Sequence, residues 1–326
     1  MNFLNKILYI TPNTFKYRII IYLILLLFGV LFELVSVGLV LPVIGSLVAA
    51  KTVILGLDFS IFFEKLNLLT QYGLVITVLG LLFFVFFLKT LFFLFLAWFE
   101  QTFQEKISNS ISSSFFEKYL KVDYKVHLEK NSSELIRNVT SEVQILLRNI
   151  IIPILYVIAD TLIFLGIIFV ETKGSIYLFL IYGLFGIAFI ASFKKKLFNF
   201  GLARQFHEQM RIKSYINAFH GIKTVKIFNK EIHFLKDFML HTGALNRIGK
   251  LTGFILKIPR QLIELITISS FIFLTIILLD NGTDMTDILP QLALFVAAAF
   301  RLIPCVNRFL HHYQVLKIGY PSVNKL

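Results

Sequence analysis

Residues 74–99 read LVITVLGLLFFVFFLKTLFFLFLAWF, an apolar run that holds a single charged residue, Lys89. About 20 such residues in a helix cross the roughly 30 Å hydrocarbon core of a bilayer. The rest of the chain has the same character, because 57% of its 326 residues are hydrophobic and only 16% are charged. Soluble domains carry about a quarter of charged residues, so the composition predicts an all-α membrane protein.

Similar apolar stretches recur along the chain and together predict six transmembrane helices. The spans are 19–41, 74–99, 150–170, 176–193, 262–279 and 288–303. The last one is short, but its apolar pattern continues past Pro304 to Leu316. Because proline kinks a helix more readily than it ends a buried one, we expect a kinked helix that runs on beyond the span.

The basic residues are distributed asymmetrically between the predicted loops. Nearly all of the 32 Lys and Arg residues lie in the N-terminal segment, in the loops 100–149 and 194–257, and in the tail, whereas the opposite loops hold only Lys51, Lys65 and Lys173. Basic loops stay on the cytoplasmic side, so we expect a multi-pass protein of the cell (inner) membrane with both termini in the cytoplasm. The same rule explains the net charge of +13 without a nucleic-acid partner.

The two long loops are patterned as helices rather than as flexible connectors. Residues 101–120 and 194–219 contain no proline, and apolar residues recur at helical spacing, as in Phe103, Ile107 and Ile111. We therefore predict two cytoplasmic helical hairpins, 100–149 and 194–257, that extend the membrane helices by about 30 Å for every 20 residues.

The hairpin tips are predicted from breaks in this pattern. The first hairpin breaks near Val122–Tyr124 and resumes around Asn131–Glu134. The second breaks near His220–Gly221, and its return helix begins at about Glu231. A solvated stalk is the simpler interpretation of such hairpins. The functional one is that the tips transmit force from a cytoplasmic partner.

Six strings, in their order along the chain, carry a resemblance to a known family. They are FELVSVGLVLP at 32–42, VDY at 122–124, NSSELIR at 131–137, GIKTVKIFNKE at 221–231, PRQLIE at 259–264 and AFRLIPCVNR at 299–308. Together they resemble the six-helix transmembrane domain of an ABC exporter, over essentially the whole chain. The last two strings are most similar to the subgroup that moves lipid-linked oligosaccharides or other surface-glycan precursors.

The resemblance implies a domain-swapped dimer with a second copy of the chain, in which spans four and five cross to the partner. It also implies a nucleotide-binding domain, which would bind ATP and Mg²⁺ and drive translocation of the lipid-linked glycan. Coupling to that domain is expected at the tips, through Asp123, Tyr124, Glu134, His220, Gly221, Lys223 and Lys226.

The chain itself shows no phosphate-binding loop. The nearest string, GALNRIGKL at 243–251, has one residue too many between its glycines and no hydroxyl after the lysine. We therefore expect no cofactor and no catalytic residue in this polypeptide, and an ATPase that is a separate subunit or is missing. A non-transporting fragment or scaffold is the corresponding alternative.

Ionisable residues inside the spans are costly in hydrocarbon and are therefore candidates for the substrate path. Counting residues places Lys89 and Arg301 at one depth in the inner half of the bilayer, and Arg260 and Arg308 closer to the cytoplasm. The four cations could line one cavity for an anionic lipid headgroup. Alternatively, Arg260 and Arg308 only extend to the lipid headgroups, and Glu264 pairs with Arg260 at i,i+4 spacing.

Two acids also fall inside the spans. Asp160, in the middle of span three, could neutralise Lys89 or Arg301, and Glu33, in the outer half of span one, could line the exit. Acids of this kind also fit a proton-coupled carrier. The abundant Phe keeps export of a peptide, drug or simple lipid open. No metal site is expected, because His311 and His312 have no further ligand at metal-binding spacing, and a membrane enzyme is disfavoured by missing motifs.

Overall fold

The computed structural model describes residues 13–38, 53–54, 57–58, 71–129, 131–170, 175–280 and 285–325. The side chains of some helix residues, Arg301 among them, lie outside this description. Val40–Pro42 and the lysines Lys51, Lys65 and Lys173 lie outside it altogether.

Long helices account for almost all of the described chain. In order they are α1 (Asn13–Gly38), α2 (Gln71–Lys121), α3 (Tyr124–Glu129), α4 (Ser132–Arg137), α5 (Val143–Leu146), α6 (Ile152–Val170), α7 (Ser175–His220), α8 (Ile222–Ile227), α9 (Glu231–Asp280) and α10 (Met285–Lys325). A two-residue antiparallel ladder, β1 (Val53–Ile54) with β2 (Leu57–Asp58), pairs Val53 with Asp58 and Ile54 with Leu57. The predicted all-α class is confirmed.

Two π-helical segments interrupt the helix that leads back from the first tip. The segment π1 (Asn138–Glu142) joins α4 to α5, and π2 (Leu147–Ile151) joins α5 to α6. The residues that flank these segments keep right-handed helical φ and ψ angles. The helix from Ser132 onwards therefore continues without a turn or loop, but its side-chain spacing changes twice.

Three helical stretches are long and apolar enough to cross a membrane by length and composition: Leu79–Lys121, Ser132–Leu162 and Glu231–Asp280. These stretches were found among the described residues. Large apolar side chains on them are exposed, such as Phe83 at 71% and Phe273 at 67%. In water such surfaces would be unfavourable, so they indicate a protein embedded in lipid.

The helix ends fall close to the predicted breaks. Helix α2 ends at Lys121, next to the predicted break at Val122–Tyr124, and α4 begins at Ser132 with Asn131 as its N-cap. Helix α7 ends at His220 and α9 begins at Glu231. The predicted continuation past Pro304 is also confirmed, since α10 reaches Lys325.

The main core forms where α1, α2, α6 and α10 meet. Its buried side chains include Tyr22, Ile107, Ile150 and Leu302. A smaller cluster, which contains Phe189, Leu197, Ile255 and Ile318, joins α7 to α9 and α10. The core thus includes residues of the polar hairpins as well as of the apolar stretches, so hairpins and bundle pack as one body.

Two glycines allow the closest helix contacts. A Cβ on Gly201 of α7 would overlap the carbonyl oxygen of Ile318 in α10. A Cβ on Gly319 would lie 2.7 Å from Cβ of Asn149 in π2. Small residues let helix backbones approach in this way, and here they fix α10 between α7 and the end of the first hairpin.

We expect Gly201→Ala to destabilise the protein by about 2 kcal/mol, because the added methyl group must push α10 away. The melting temperature should fall by about 4 °C. Unfolding can be followed with a thiol-reactive fluorophore, since Cys305 is buried.

Gly249→Ala is the matched control, because nothing lies within 4 Å of the added Cβ. It should leave the melting temperature unchanged or raise it slightly, since alanine is the better helix former. Equal melting temperatures for Gly201→Ala and wild type would contradict the close approach.

Candidate functional site

Three helices meet at an ion-pair cluster inside the bundle, formed by Arg308, Glu33 and Asp160. Arg308 of α10 donates from Nη1 and Nη2 to the two carboxylate oxygens of Glu33 in α1, each at 3.1 Å. Its Nε lies 3.4 Å from Oδ1 of Asp160 in α6. This two-pronged geometry is the strongest that arginine makes with a carboxylate.

The cluster is only partly satisfied. The side chain of Asp160 is 3% exposed, and its Oδ2 is buried without a hydrogen-bond partner among the described residues. One guanidinium faces two carboxylates, and the Asp160 contact is the looser of the two. Removing a partner from such a cluster leaves a buried charge without compensation, which is far costlier than losing an exposed pair.

The cluster bears on two sequence-based interpretations. Asp160 was a candidate to neutralise Lys89 or Arg301; it forms an ion pair with Arg308, and the side chain of Arg301 lies outside the described residues. Glu33 and Arg308 were assigned to different depths, but their 3.1 Å contact means that they share one level of the bundle. Counting residues from each span's end therefore does not give the relative positions of these two side chains. Arg308 pairs with acids on two other helices, and its side chain is 36% exposed.

The other predicted cations lie in different surroundings. Lys89 is half-buried on α2, with its ammonium 5.4 Å from the centre of the Phe86 ring and 6.0 Å from that of Phe93. Arg260 is exposed and contacts Glu264 at 3.2 Å, which confirms the predicted i,i+4 pair. The side chain of Arg301 lies outside the described residues. A cavity shared by all four cations therefore stays a prediction.

A second polar cluster, absent from the sequence analysis, centres on Glu100 at the end of the apolar part of α2. Its Oε2 accepts hydrogen bonds from the hydroxyls of Tyr22 at 2.7 Å and Tyr156 at 2.6 Å. Its Oε1 accepts from Gln104 at 2.9 Å, and His312 stacks on Tyr156 with ring centres 4.5 Å apart. The cluster ties α1, α2, α6 and α10 together. It lies about one turn from the Arg308 cluster along α6 and α10 and about three turns from it along α1.

A third cluster, where the return helix of the first hairpin meets α7, is built around two fully buried charges. Arg137 is 1% exposed and Glu142 is 0% exposed, with Nε and Oε1 3.5 Å apart. Arg137 also donates to the Gln205 carbonyl oxygen at 3.1 Å and to Gln209 Oε1 at 2.8 Å. Glu142 accepts from the Gln205 side chain at 3.1 Å. These bonds lock the first hairpin to α7.

The predicted coupling residues are spread over the two tips. Asp123, Tyr124, His220, Lys223 and Lys226 are exposed, whereas Gly221 and Glu134 are half-buried. Lys226 contacts Glu231 at 3.0 Å, which closes the second tip. Asn229 holds this turn with φ 47°, a left-handed conformation that asparagine tolerates better than most residues.

The second tip exposes a cluster of large apolar side chains among its lysines. Phe219, Ile227 and Phe228 are 70%, 64% and 65% exposed. Along the sequence, Phe219 lies 26 residues beyond the apolar stretch that ends at Phe193, and Phe228 lies 34 residues before the one that begins at Leu262. Exposed apolar side chains that cluster in this way indicate contact with another molecule.

The second hairpin also contains a histidine pair. Nδ1 of His207 in α7 lies 3.0 Å from Nδ1 of His241 in α9, and Asp237 contacts His241 at 3.7 Å from the other side. Burial and the neighbouring His241 charge lower the pKa of His207. One nitrogen must donate and the other accept, so the contact requires at least one neutral ring. Among the described residues no group of three or more His, Cys, Asp or Glu could hold a metal ion.

No known family model matches this sequence. The resemblance to an ABC exporter therefore rests on the quoted strings and on the helix layout. The coarser conclusion is a helical protein with three stretches fit to cross a membrane and three polar clusters between its helices. We conclude that the chain is an all-α membrane protein.

We expect Arg308→Met to destabilise the protein by about 3 kcal/mol, because Glu33 and Asp160 would lose their shared cation. Arg260→Met is the matched control: its pair with Glu264 is exposed, so the cost should stay below about 1 kcal/mol. The melting temperatures of the purified variants measure the loss of stability in each case. Equal decreases in melting temperature for the two variants would show that the Arg308 cluster contributes no more to stability than an exposed ion pair.

Acidification should loosen the second hairpin. The folded-state pKa of His207 lies below its ordinary value of 6.5. The neutral ring therefore stabilises the fold fully above about pH 6.5, and this contribution is lost as the pH falls through the lowered pKa. Amide exchange in 231–245, corrected for its intrinsic pH dependence, should be faster at pH 5 than at pH 7.5.

His207→Asn should remove most of that pH dependence, and His220→Asn, at the exposed tip, should not. A wild-type hairpin whose corrected exchange is the same at both pH values would show that the pair does not control its stability.

Proposed function

We propose that this chain is the membrane-spanning half of an ATP-driven ABC exporter that works as a dimer. One observation carries the proposal: α2, α7 and α9 continue without a break from apolar into polar sequence. Helix α2 has 51 residues and α9 has 50, which gives each about 75 Å. The hydrocarbon core takes about 30 Å of that length, so much of each helix projects beyond it.

Rigidity is what makes these helices suitable for transmitting force. The Arg137–Glu142 contact and the hydrogen bonds of Arg137 to α7 hold the first hairpin against the second, close to the first tip. The Gly201 contact fixes α7 against α10. A displacement at either tip would therefore move the whole hairpin pair and the bundle attached to it, instead of bending a loop.

A separate nucleotide-binding domain is the partner we propose for the tips. The second tip offers exposed Phe219, Ile227 and Phe228 among basic residues, including Lys223 and Lys226. Apolar anchors inside a charged rim are typical of protein interfaces. In this scheme, ATP binding closes the two nucleotide-binding domains of the dimer onto each other. Their closure draws the tips together and opens the cavity to the outside.

The cargo that we propose is an anionic lipid-linked glycan precursor. Lys89 supports it, because a cation half-buried among Phe86, Phe93 and other apolar side chains is expensive in hydrocarbon and indicates a functional role. Arg301 is its proposed counterpart on α10. We propose that Arg308 holds α1, α6 and α10 together and does not bind phosphate, since its guanidinium is engaged by Glu33 and Asp160.

The partner can be tested by cross-linking from the tips. In a Cys305→Ser background, Lys223→Cys carries a photo-cross-linker in native membranes, and captured proteins are identified by mass spectrometry. We expect an ATPase with a phosphate-binding loop. Capture at Lys257→Cys, an exposed position on α9 near its apolar part, is the control. A captured protein of another class, or equal capture at both positions, would contradict the proposal.

The cargo can be tested in proteoliposomes that contain the chain and the captured ATPase. The double variant Lys89→Glu, Arg301→Glu should lose ATP-driven flipping of a lipid-linked oligosaccharide, because reversed charges repel the pyrophosphate. ATP hydrolysis should stay within about twofold of wild type, since the tips are untouched. Wild-type flipping in the double variant would remove the substrate-path assignment.

A further inference from the structure

A polar groove lies against the outside of the bundle, where α2 leaves its apolar sequence. Its volume is about 520 Å³, and it runs from Trp98 at one end to Asn109 at the other along α2, with Gln144 and Arg148 on the facing wall. All of its lining residues except Trp98 and Leu147 carry polar side chains. The groove contains none of the residues assigned to the proposed substrate path or to the tips.

The groove presents amide groups that form no side-chain hydrogen bond with the residues that the structure describes. Gln101, Asn109 and Gln144 are exposed, and none of them has a side-chain hydrogen bond within the described part of the chain. Each amide offers both donors and an acceptor. A ligand rich in groups that donate and accept, such as sugar hydroxyls, matches this set.

The charge of the groove argues against a phosphate-bearing ligand. Arg148 is its one cation and Glu105 its one carboxylate, so the formal charge is zero. Phosphate recognition favours several cations or a two-pronged arginine without a competing acid. Trp98, 64% exposed at the mouth, adds a flat apolar face of the kind that covers the C–H side of a sugar ring while its N–H stays polar.

The position of the groove favours a membrane ligand whose headgroup extends far from the bilayer. The apolar run of α2 ends at Trp98–Phe99, and the 11 residues from Trp98 to Asn109 rise about 16 Å. The headgroup layer on each face of a bilayer is only about 6 Å thick. The groove therefore extends beyond the reach of an ordinary phospholipid headgroup.

From these observations we infer that this groove binds the neutral, sugar-bearing headgroup of a glycolipid in the adjacent leaflet. The inference goes beyond the proposed function, because it requires the chain to lie in a membrane but does not require transport. Trp98 would stack on the first sugar, and Gln101, Asn109 and Gln144 would bind hydroxyls further out.

Trp98 is the only tryptophan of the chain, so its fluorescence reports on the groove directly. We would reconstitute the full chain in phosphatidylcholine liposomes with increasing mole fractions of diglucosyl diacylglycerol or of phosphatidylserine. The emission should change and saturate with the glycolipid and should stay constant with phosphatidylserine. The double variant Gln101→Leu, Asn109→Leu should raise the half-saturating mole fraction about tenfold, through the loss of two hydrogen bonds.

The control variant is Gln261→Leu, Asn246→Leu, which removes two exposed amides from α9 and should bind like wild type. Its melting temperature and that of the groove variant verify that both fold. An equal response to phosphatidylserine, an unsaturable response to both lipids, or wild-type binding by the groove variant would each overturn the inference. Neither Lys89 nor Arg301 is altered, so failure here would leave the flipping experiment intact.

Discussion

The contact between Arg308 and Glu33 joins the last long helix to the first, across 275 positions of sequence. Apolar side chains cannot hold a bundle together in lipid as they do in water, because the surrounding hydrocarbon is equally apolar. Directed polar contacts and close packing must supply the specificity. Arg308 provides such contacts between α1, α6 and α10. The Glu100 cluster provides them between α1, α2, α6 and α10.

The same contacts also show that the predicted cations lie in different surroundings. Arg308 is engaged by Glu33 and Asp160, and this one cation faces two carboxylates. Lys89 lies beside aromatic rings on α2, and Arg260 lies on the exposed surface with its own acid. The four cations have similar sequence contexts, but Lys89, Arg260 and Arg308 lie in three different surroundings. Only their contacts in the structure distinguish them.

The features that the sequence predicted are those encoded locally. The ends of α2 and α7, the start of α9 and the Arg260–Glu264 pair follow from helical spacing, proline-free stretches and turn residues within a few positions. The clusters around Glu100 and Glu142 were missed, because their partners lie 56 to 78 positions away. Both acids of the Arg308 cluster were identified, but residue counting could not show that they share one cation. The π segments were not predicted, because the spacing of apolar residues was compared only with the 3.6 residues per turn of an α-helix.

The π segments have a consequence for how the first hairpin meets the bundle. Each π turn accommodates one more residue than an α turn, and one residue corresponds to about 100° of rotation around a helix axis. Side chains beyond Ile151 are therefore turned by roughly 200° from the positions that an unbroken α-helix starting at Ser132 would give them. Shortening the chain by one residue in either segment would point Tyr156 and Asp160 away from Glu100 and Arg308. The meeting of α6 with its neighbours is thus set by two surplus residues, one before the apolar stretch and one at its start.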